Sequence, residues 1–203
     1  MKNRVITISR QFGSGGRTVG KLVAASLNIP CYDQEIIEKI SQKSGLSQAY
    51  IADKGEDAAH GSWFANAFTD RDANGLSTQD YLWRVQRKVI LDLAEKSPCV
   101  IVGRCADYIL KDAADCLKVF VHASMEKRAE RIVRVYGERE ETPEKRLKNK
   151  DKRRRTYYQY YTDMEWGLAQ NYHISLDSGL IGVERCAEII INLYRSLGQE
   201  PAK

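Results

Sequence analysis

The chain has 203 residues, 43% hydrophobic and 29% charged, with four prolines. That is enough for one sizeable core, and the ordinary mixture excludes fibrous, low-complexity and disordered classes. The formal net charge of +5 is unevenly placed: residues 126–155 carry 13 Lys and Arg against 7 Asp and Glu, a net of +6. Such a stretch wants an anionic partner or forms a well-solvated helix face.

Five cysteines, Cys31, Cys99, Cys105, Cys116 and Cys186, are odd in number and scattered, with no C-x-x-C pair and no metal-ligand spacing to the three histidines. Free thiols in a reducing compartment are the economical reading, and structural zinc is not expected. MKNRVITISR lacks the apolar run of a secretory signal, and no stretch reaches the roughly 20 apolar residues of a membrane span. A cytoplasmic location is expected, without a membrane partner.

In chain order, apolar and β-branched runs predict strands at 5–8, 29–32, 99–102, 117–121 and 174–176. Helical periods lie between them. The segment 18–27 places Val19, Leu22, Val23 and Leu27 on one face, and 34–44 does the same with Ile36, Ile37 and Ile40 after Asp33, a plausible N-cap. Residues 78–95 carry Tyr81, Leu82, Val85, Val89 and Leu93, and 124–136 opens on Ser124 as cap. Thr142-Pro143 opens a long basic helix, with proline at the first helical position. A last helix spans 181–197. Short strands alternating with helices predict an α/β fold with a parallel sheet covered on both faces. Residues 53–77 break the alternation with glycines and no sustained period, the mark of a lid, a binding loop or a disordered insert.

QFGSGGRT (11–18) directly follows the first strand. It has the layout of the phosphate loop G-x-x-x-x-G-K-[ST], but Gln11 replaces the first glycine and Arg17 the lysine. Gly13, Ser14, Gly15 and Gly16 would let successive backbone N–H groups face a phosphate, with the positive end of the next helix behind them. Arg17 could supply the cation, or Lys21 one turn later, and Thr18 stands where a Mg²⁺-binding hydroxyl belongs. The bland alternative is a glycine-rich turn with no ligand. A dinucleotide fingerprint fails, since Thr18 occupies the position of its third glycine.

Four segments, ITISRQFGSGGRTVGKLVA (6–24), IPCYDQEII (29–37), PCVIVGRCADYIL (98–110) and DKRRRTYYQYYTDMEWGLAQNYHISLDSGLIG (151–182), cover much of the chain. Together they resemble the cytidylate kinase-like family, relatives of bacterial cytidylate kinase among the P-loop nucleoside monophosphate kinases. Loops of that family typically read GSGGR, so Arg17 matches the family. The resemblance implies a single three-layer P-loop NTPase domain over 1–203 with five parallel strands. It also implies a helical acceptor-binding insert at 34–96 and an arginine-rich lid at 137–160.

The same resemblance implies ATP with Mg²⁺ as donor and a nucleoside monophosphate, CMP or dCMP first, as acceptor. Residues 13–18 would cradle the donor phosphates, with Arg128 and Arg131 near the donor nucleotide. Asp33 and Arg104 would hold the acceptor, and Arg146, Arg153 and Arg154 would close over the phosphates in transfer. Arginines suit this chemistry, which is mostly positioning and charge neutralisation. The plainer alternatives are an N-cap for Asp33, compatible with a binding role, and a surface ion pair for Arg104.

Tyr157, Tyr158, Tyr160, Tyr161 and Trp166 beside basic residues could stack nucleic-acid bases. At helical spacing they pack a helix onto a core, which the resemblance favours, so small nucleotides rather than nucleic acid are the expected partners. The family's W-G-x-P-x-N-Y-D reads here Trp166-Gly-Leu-Ala-Gln-Asn-Tyr-His173, without the proline and with His for Asp; His173 is read as structural or exposed. Two other functions stay open: a nucleotide-binding regulator with little activity, and a kinase of a non-nucleotide metabolite. No pattern sets the oligomeric state.

Overall fold

Val5, Ile6 and Ile8 are all fully buried, although successive side chains of a strand point to opposite faces. Only a strand with helices above and below hides both sets. β1 (Arg4–Arg10) is that strand, at the centre of a parallel sheet ordered β2-β3-β1-β4-β5. The computed structural model describes residues 3–49, 51 and 77–197; most of the irregular segment, 52–76, lies outside them.

The elements run β1, α1 (Gly16–Leu27), β2 (Cys31–Tyr32), α2 (Glu35–Ser44), α3 (Thr78–Lys96), β3 (Cys99–Val102) and α4 (Ala106–Ile109). They continue as β4 (Asp115–His122), α5 (Met125–Tyr136), α6 (Pro143–Thr162), β5 (Ile174–Asp177), α7 (Ser178–Ile181) and α8 (Val183–Ser196). Val5 stands between Cys99 of β3 and Cys116 of β4, which fixes the register at the middle of the sheet. All five expected strands are present.

The two-residue period of the strands sorts the core. Ile6, Ile8, Val100 and Val102 face α1 and α8 through Val19, Val23, Cys186 and Ile190. Val5, Cys99 and Ile101 face α2 and α3 through Ile36, Ile40, Val89 and Ile90. A third cluster, Cys105, Phe120, Tyr157, Tyr158, Trp166 and Tyr172, joins the second half of α6 to the sheet. Burial pushes the thiols up, Cys31 and Cys116 to about 11 and Cys99 to about 12, so they remain protonated at neutral pH.

Local chemistry moves several boundaries. β2 begins at Cys31 rather than 29, because Ile29 still closes α1, its N–H donating to Ala24 O, and Pro30 has no N–H for a ladder. The last helix is split: Gly182, at φ 87°, separates α7 from α8. Asp33 does not cap α2; the cap position is Gln34 with no side-chain bond, and the Asp33 carboxylate is taken by Arg17. Thr142 occupies the cap position of α6 but makes no side-chain cap bond. Ser124 does cap α5, accepting from the Lys127 N–H at 3.3 Å. His173 extends the β4–β5 pairing: its N–H donates to Lys118 O at 2.8 Å and its Nδ1 accepts from the Lys118 N–H at 3.2 Å. Among the described residues no helix is long and apolar enough to cross a membrane.

Candidate active site

The loop between β1 and α1 bends at two glycines. Gly13 and Gly15 both have φ 81°, a left-handed backbone that side chains resist. A Cβ at Gly13 would stand 2.9 Å from both Arg128 O and Ile132 Cγ2, so α5 closes against the loop there. Gly15 is the N-cap of α1 and has no side chain to satisfy the first helical amides, and no acidic residue lies in the first turn. A helix start with these features is open to an anion. Ser14 serves the loop itself: its hydroxyl is buried and donates to Gln11 O at 2.9 Å, and Ser14 O accepts from Ser178 Oγ.

Above this loop lies a cavity of about 460 Å³. Arg10 and Arg17 line it from the β1–α1 side, Arg131 and Arg139 from α5 and the turn after it, and Arg146, Lys150, Arg153 and Arg154 from α6. Glu141 is the one acidic side chain in this wall, and Asn149 Nδ2 donates to it at 2.6 Å. The positions 146, 150, 153 and 154 reach one cavity because they share one face of a helix. Arg146, buried, is steadied by donating to Gly137 O at 3.2 Å. Eight cations around a glycine loop give this cavity a strongly positive wall.

Of the two cation candidates in the loop helix, Arg17 lines the cavity and Lys21 does not. Lys21 is exposed, with its charge directed at Cys31 and Glu35, where it lowers both groups' proton affinity. One helical turn moves it along α1, away from the loop and toward the β2 end of the sheet. Arg17 Nε pairs with Asp33 Oδ2 at 2.5 Å, so Asp33 meets the cavity through Arg17. Gln34, the next residue, is in the wall itself. Thr18 Oγ1 accepts from Arg131 Nη2 at 2.9 Å, joining the start of α1 to α5.

Arg128 differs from its expected place beside a donor nucleotide. It is buried, and its Nη1 pairs with Asp151 Oδ2 at 2.6 Å and donates to Phe12 O at 3.2 Å. Its Nε donates to Ala123 O at 3.0 Å. These bonds commit the guanidinium to the protein, so Arg128 braces the loop and only Arg131 of the pair lines the cavity. Arg104 is buried too, not a surface ion pair, in a left-handed turn with φ 61° after β3. Its carbonyl accepts from Gln86 Nε2 at 3.1 Å, and its charge lowers the proton affinity of Tyr157, which burial pushes far up. It is not among the residues that line the cavity.

The aromatic cluster packs. Tyr157, Tyr158 and Trp166 are buried, and Tyr161 stacks on Trp83 of α3 with ring centroids 4.2 Å apart. Tyr160 is half-exposed and stands edge-on to Tyr161.

Several wall and support residues escaped the sequence reading. Arg10 reads as the last residue of an apolar strand, and Arg139 lies inside the expected lid without being singled out. Asp151 carried a usable signal, the lone carboxylate inside KNKDKRRR. Phe12 lies in the loop between Gln11 and Gly13 and gives no periodic cue.

A glycine loop leaving the central strand of a five-stranded parallel sheet, under a wall of arginines, defines a P-loop kinase fold. The chain belongs to the cytidylate kinase-like family, whose model matches residues 5–180. Among solved structures it is similar to an uncharacterised protein of Eubacterium ventriosum, at 26% identity and TM-score 0.72, covering 96% of this chain and 99% of that one. Shikimate kinase of Acinetobacter baumannii, solved with shikimate, shares the fold at 18% identity and TM-score 0.55, with 98% and 96% covered. Shikimate kinase of Bacteroides thetaiotaomicron does so at 14% and 0.52, with 96% and 99% covered. No curated protein matches the chain in sequence.

Proposed function

We propose that the protein transfers the γ-phosphoryl group of ATP to a small phosphorylated acceptor, with CMP or dCMP first among candidates. The observation that carries this reading is the cavity over the glycine loop, with eight cationic side chains against one carboxylate. A donor triphosphate and an acceptor phosphate together bring the negative charge that such a wall would neutralise.

In this reading, residues 13–18 hold the donor phosphates by backbone N–H groups and the start of α1. Arg17, Lys150, Arg153 and Arg154 neutralise charge on the oxygens as the bond to the leaving phosphate breaks and the bond to the acceptor oxygen forms. Arg146, anchored at Gly137 O, and Arg131 hold the donor from the lid side. Mg²⁺ bound with ATP supplies further neutralisation of the phosphate oxygens. The Thr18 hydroxyl, at the exposed first turn of α1, would hold it once Arg131, which donates to that oxygen at 2.9 Å, turns to the phosphates.

Asp33 would accept a hydrogen bond from an acceptor hydroxyl or base amine, beside the transferring phosphate because Arg17 holds it there. Arg104 would serve the acceptor phosphate, with the 34–96 region as the acceptor-binding insert and 137–160 as the lid. These assignments draw on the family. The soluble, cytoplasmic setting expected from the sequence belongs to the same reading.

The test is turnover of ATP with Mg²⁺ against a panel of nucleoside monophosphates plus shikimate, with phosphorylated products followed directly. Strong preference for CMP or dCMP supports the reading. Slow ATP loss indifferent to every nucleotide overturns it, and phosphorylation of shikimate would replace the acceptor class.

A further inference from the structure

We propose that Asp151 is the positioning residue of the glycine loop, holding the phosphate cradle in place against the cations of α6. This rests on the reading that the loop binds ATP. Asp151 uses both carboxylate oxygens: Oδ1 accepts from the Phe12 N–H at 2.7 Å, and Oδ2 pairs with Arg128 Nη1 at 2.6 Å. Arg128 Nη1 in turn donates to Phe12 O at 3.2 Å. Both peptide groups of Phe12 are therefore held by one buried ion pair, with side chains 6% and 11% exposed.

The ring of Phe12 is held by the same two helices. Tyr136, the last residue of α5, stacks with it at 5.9 Å, and the Arg154 guanidinium of α6 lies 5.8 Å from its centroid. Arg154 also donates from Nη1 to Arg10 O at 3.2 Å, at the end of β1. Phe12 is the residue before Gly13, where the left-handed bend begins. Fixing Phe12 fixes where that bend starts, and so where the following amides point. Asp151 lies between Lys150 and Arg153 on α6, so the contact that sets the loop also sets the height of the arginines over it.

A buried ion pair adds little stability compared with well-packed apolar residues of similar size. An apolar pair, however, cannot accept the Phe12 N–H. Two double variants separate these roles. R128M/D151L removes both charges and the acceptor, whereas R128Q/D151N removes the charges but keeps an oxygen able to accept from Phe12.

The experiment is calorimetric titration of the full chain with ATP, alongside thermal unfolding and steady-state rates. R128M/D151L is expected to unfold near the wild-type temperature, bind ATP about tenfold more weakly and show a larger rise in KM for ATP than fall in kcat. R128Q/D151N is expected to stay closer to wild type in ATP affinity. Wild-type affinity in R128M/D151L overturns the inference. If wild type itself does not bind ATP, the donor reading fails and takes the inference with it. Amide exchange of the unsubstituted protein gives a second reading that needs no variant to fold: Phe12 N–H protected without nucleotide is expected. Exchange as fast as an unstructured amide overturns it.

Discussion

Arg17 Nε and Asp33 Oδ2 stand 2.5 Å apart, tying the first turn of α1 to the residue that follows β2. The pair joins the cation of the glycine loop to the carboxylate assigned to the acceptor. With side chains 41% and 15% exposed, it contributes little to folding, about 0–1 kcal/mol for a pair of this kind. Its weight falls on chemistry. Arg17→Ala is expected to lower kcat by about 10²–10³ with almost no change in unfolding temperature. Lys21→Ala, one turn further along α1 and outside the cavity lining, is expected to leave the rate near wild type. Initial rates and thermal melts of the two variants decide this, and equal losses in both would return the loop cation to Lys21.

Asp33→Asn keeps the size of the side chain and removes its charge. The expected result is a rise in KM for the acceptor of about tenfold, from loss of a charged hydrogen bond. KM for ATP should stay level or fall, since Arg17 is released toward the phosphates. A rise confined to ATP would assign Asp33 to the donor.

Gly13→Ala places a methyl 2.9 Å from Arg128 O and from Ile132 Cγ2, on a backbone with φ 81°. The left-handed conformation alone costs about 1–2 kcal/mol for a residue with a Cβ. The contacts with the carbonyl and with a fully buried isoleucine add to this, so a lower unfolding temperature and weaker ATP binding are expected together. Unchanged melting would mean that α5 can back away from the loop.

The strands were legible because β1, β3 and β4 are buried on both faces, which forces continuous runs such as VITIS and CVIV. The cation wall was legible where helical spacing gathered it, at Arg146, Arg153 and Arg154. What escaped depends on contacts distant in sequence. Arg128 and Asp151 lie 23 residues apart and meet in a buried pair, which turns an arginine read as nucleotide-facing into a brace. Asp33 looked like a helix cap because it precedes an amphipathic run; a cation from another element outcompeted the cap. Arg104 follows β3 as expected, but it is buried in a left-handed turn and outside the cavity lining, and no spacing rule reports that.

Asp107 is a buried carboxyl with a pH signature. Burial raises its proton affinity, opposed by the Tyr158 hydroxyl, which donates to Oδ2 at 2.7 Å. Oδ1 has no hydrogen-bond partner among the described residues. Because its folded value lies above its ordinary one, its stabilising share is complete below the ordinary carboxylate range and is lost as pH rises through the raised value. Asp107→Asn, which resembles the protonated form, is expected to be more stable than wild type at pH 7–8. The difference should shrink toward pH 4, as thermal melts across that range would show; a constant difference would remove the titration from the account.

Helix α6 runs unbroken from Pro143 to Thr162, about 30 Å at 1.5 Å per residue. Its stretch from Arg146 to Arg154 presents Arg146, Lys150, Arg153 and Arg154 to the cavity, and the last turns seat Tyr157, Tyr158 and Tyr161 against the body of the protein. With no break between the two stretches, the helix is a lever: the cations cannot tilt without loading the aromatic seat at the other end. Trp83, stacked on Tyr161, sits at that seat. The molecule thus carries its own optical gauge: movement of arginines about two to four helical turns along α6 is expected to change the emission of the indole at that seat.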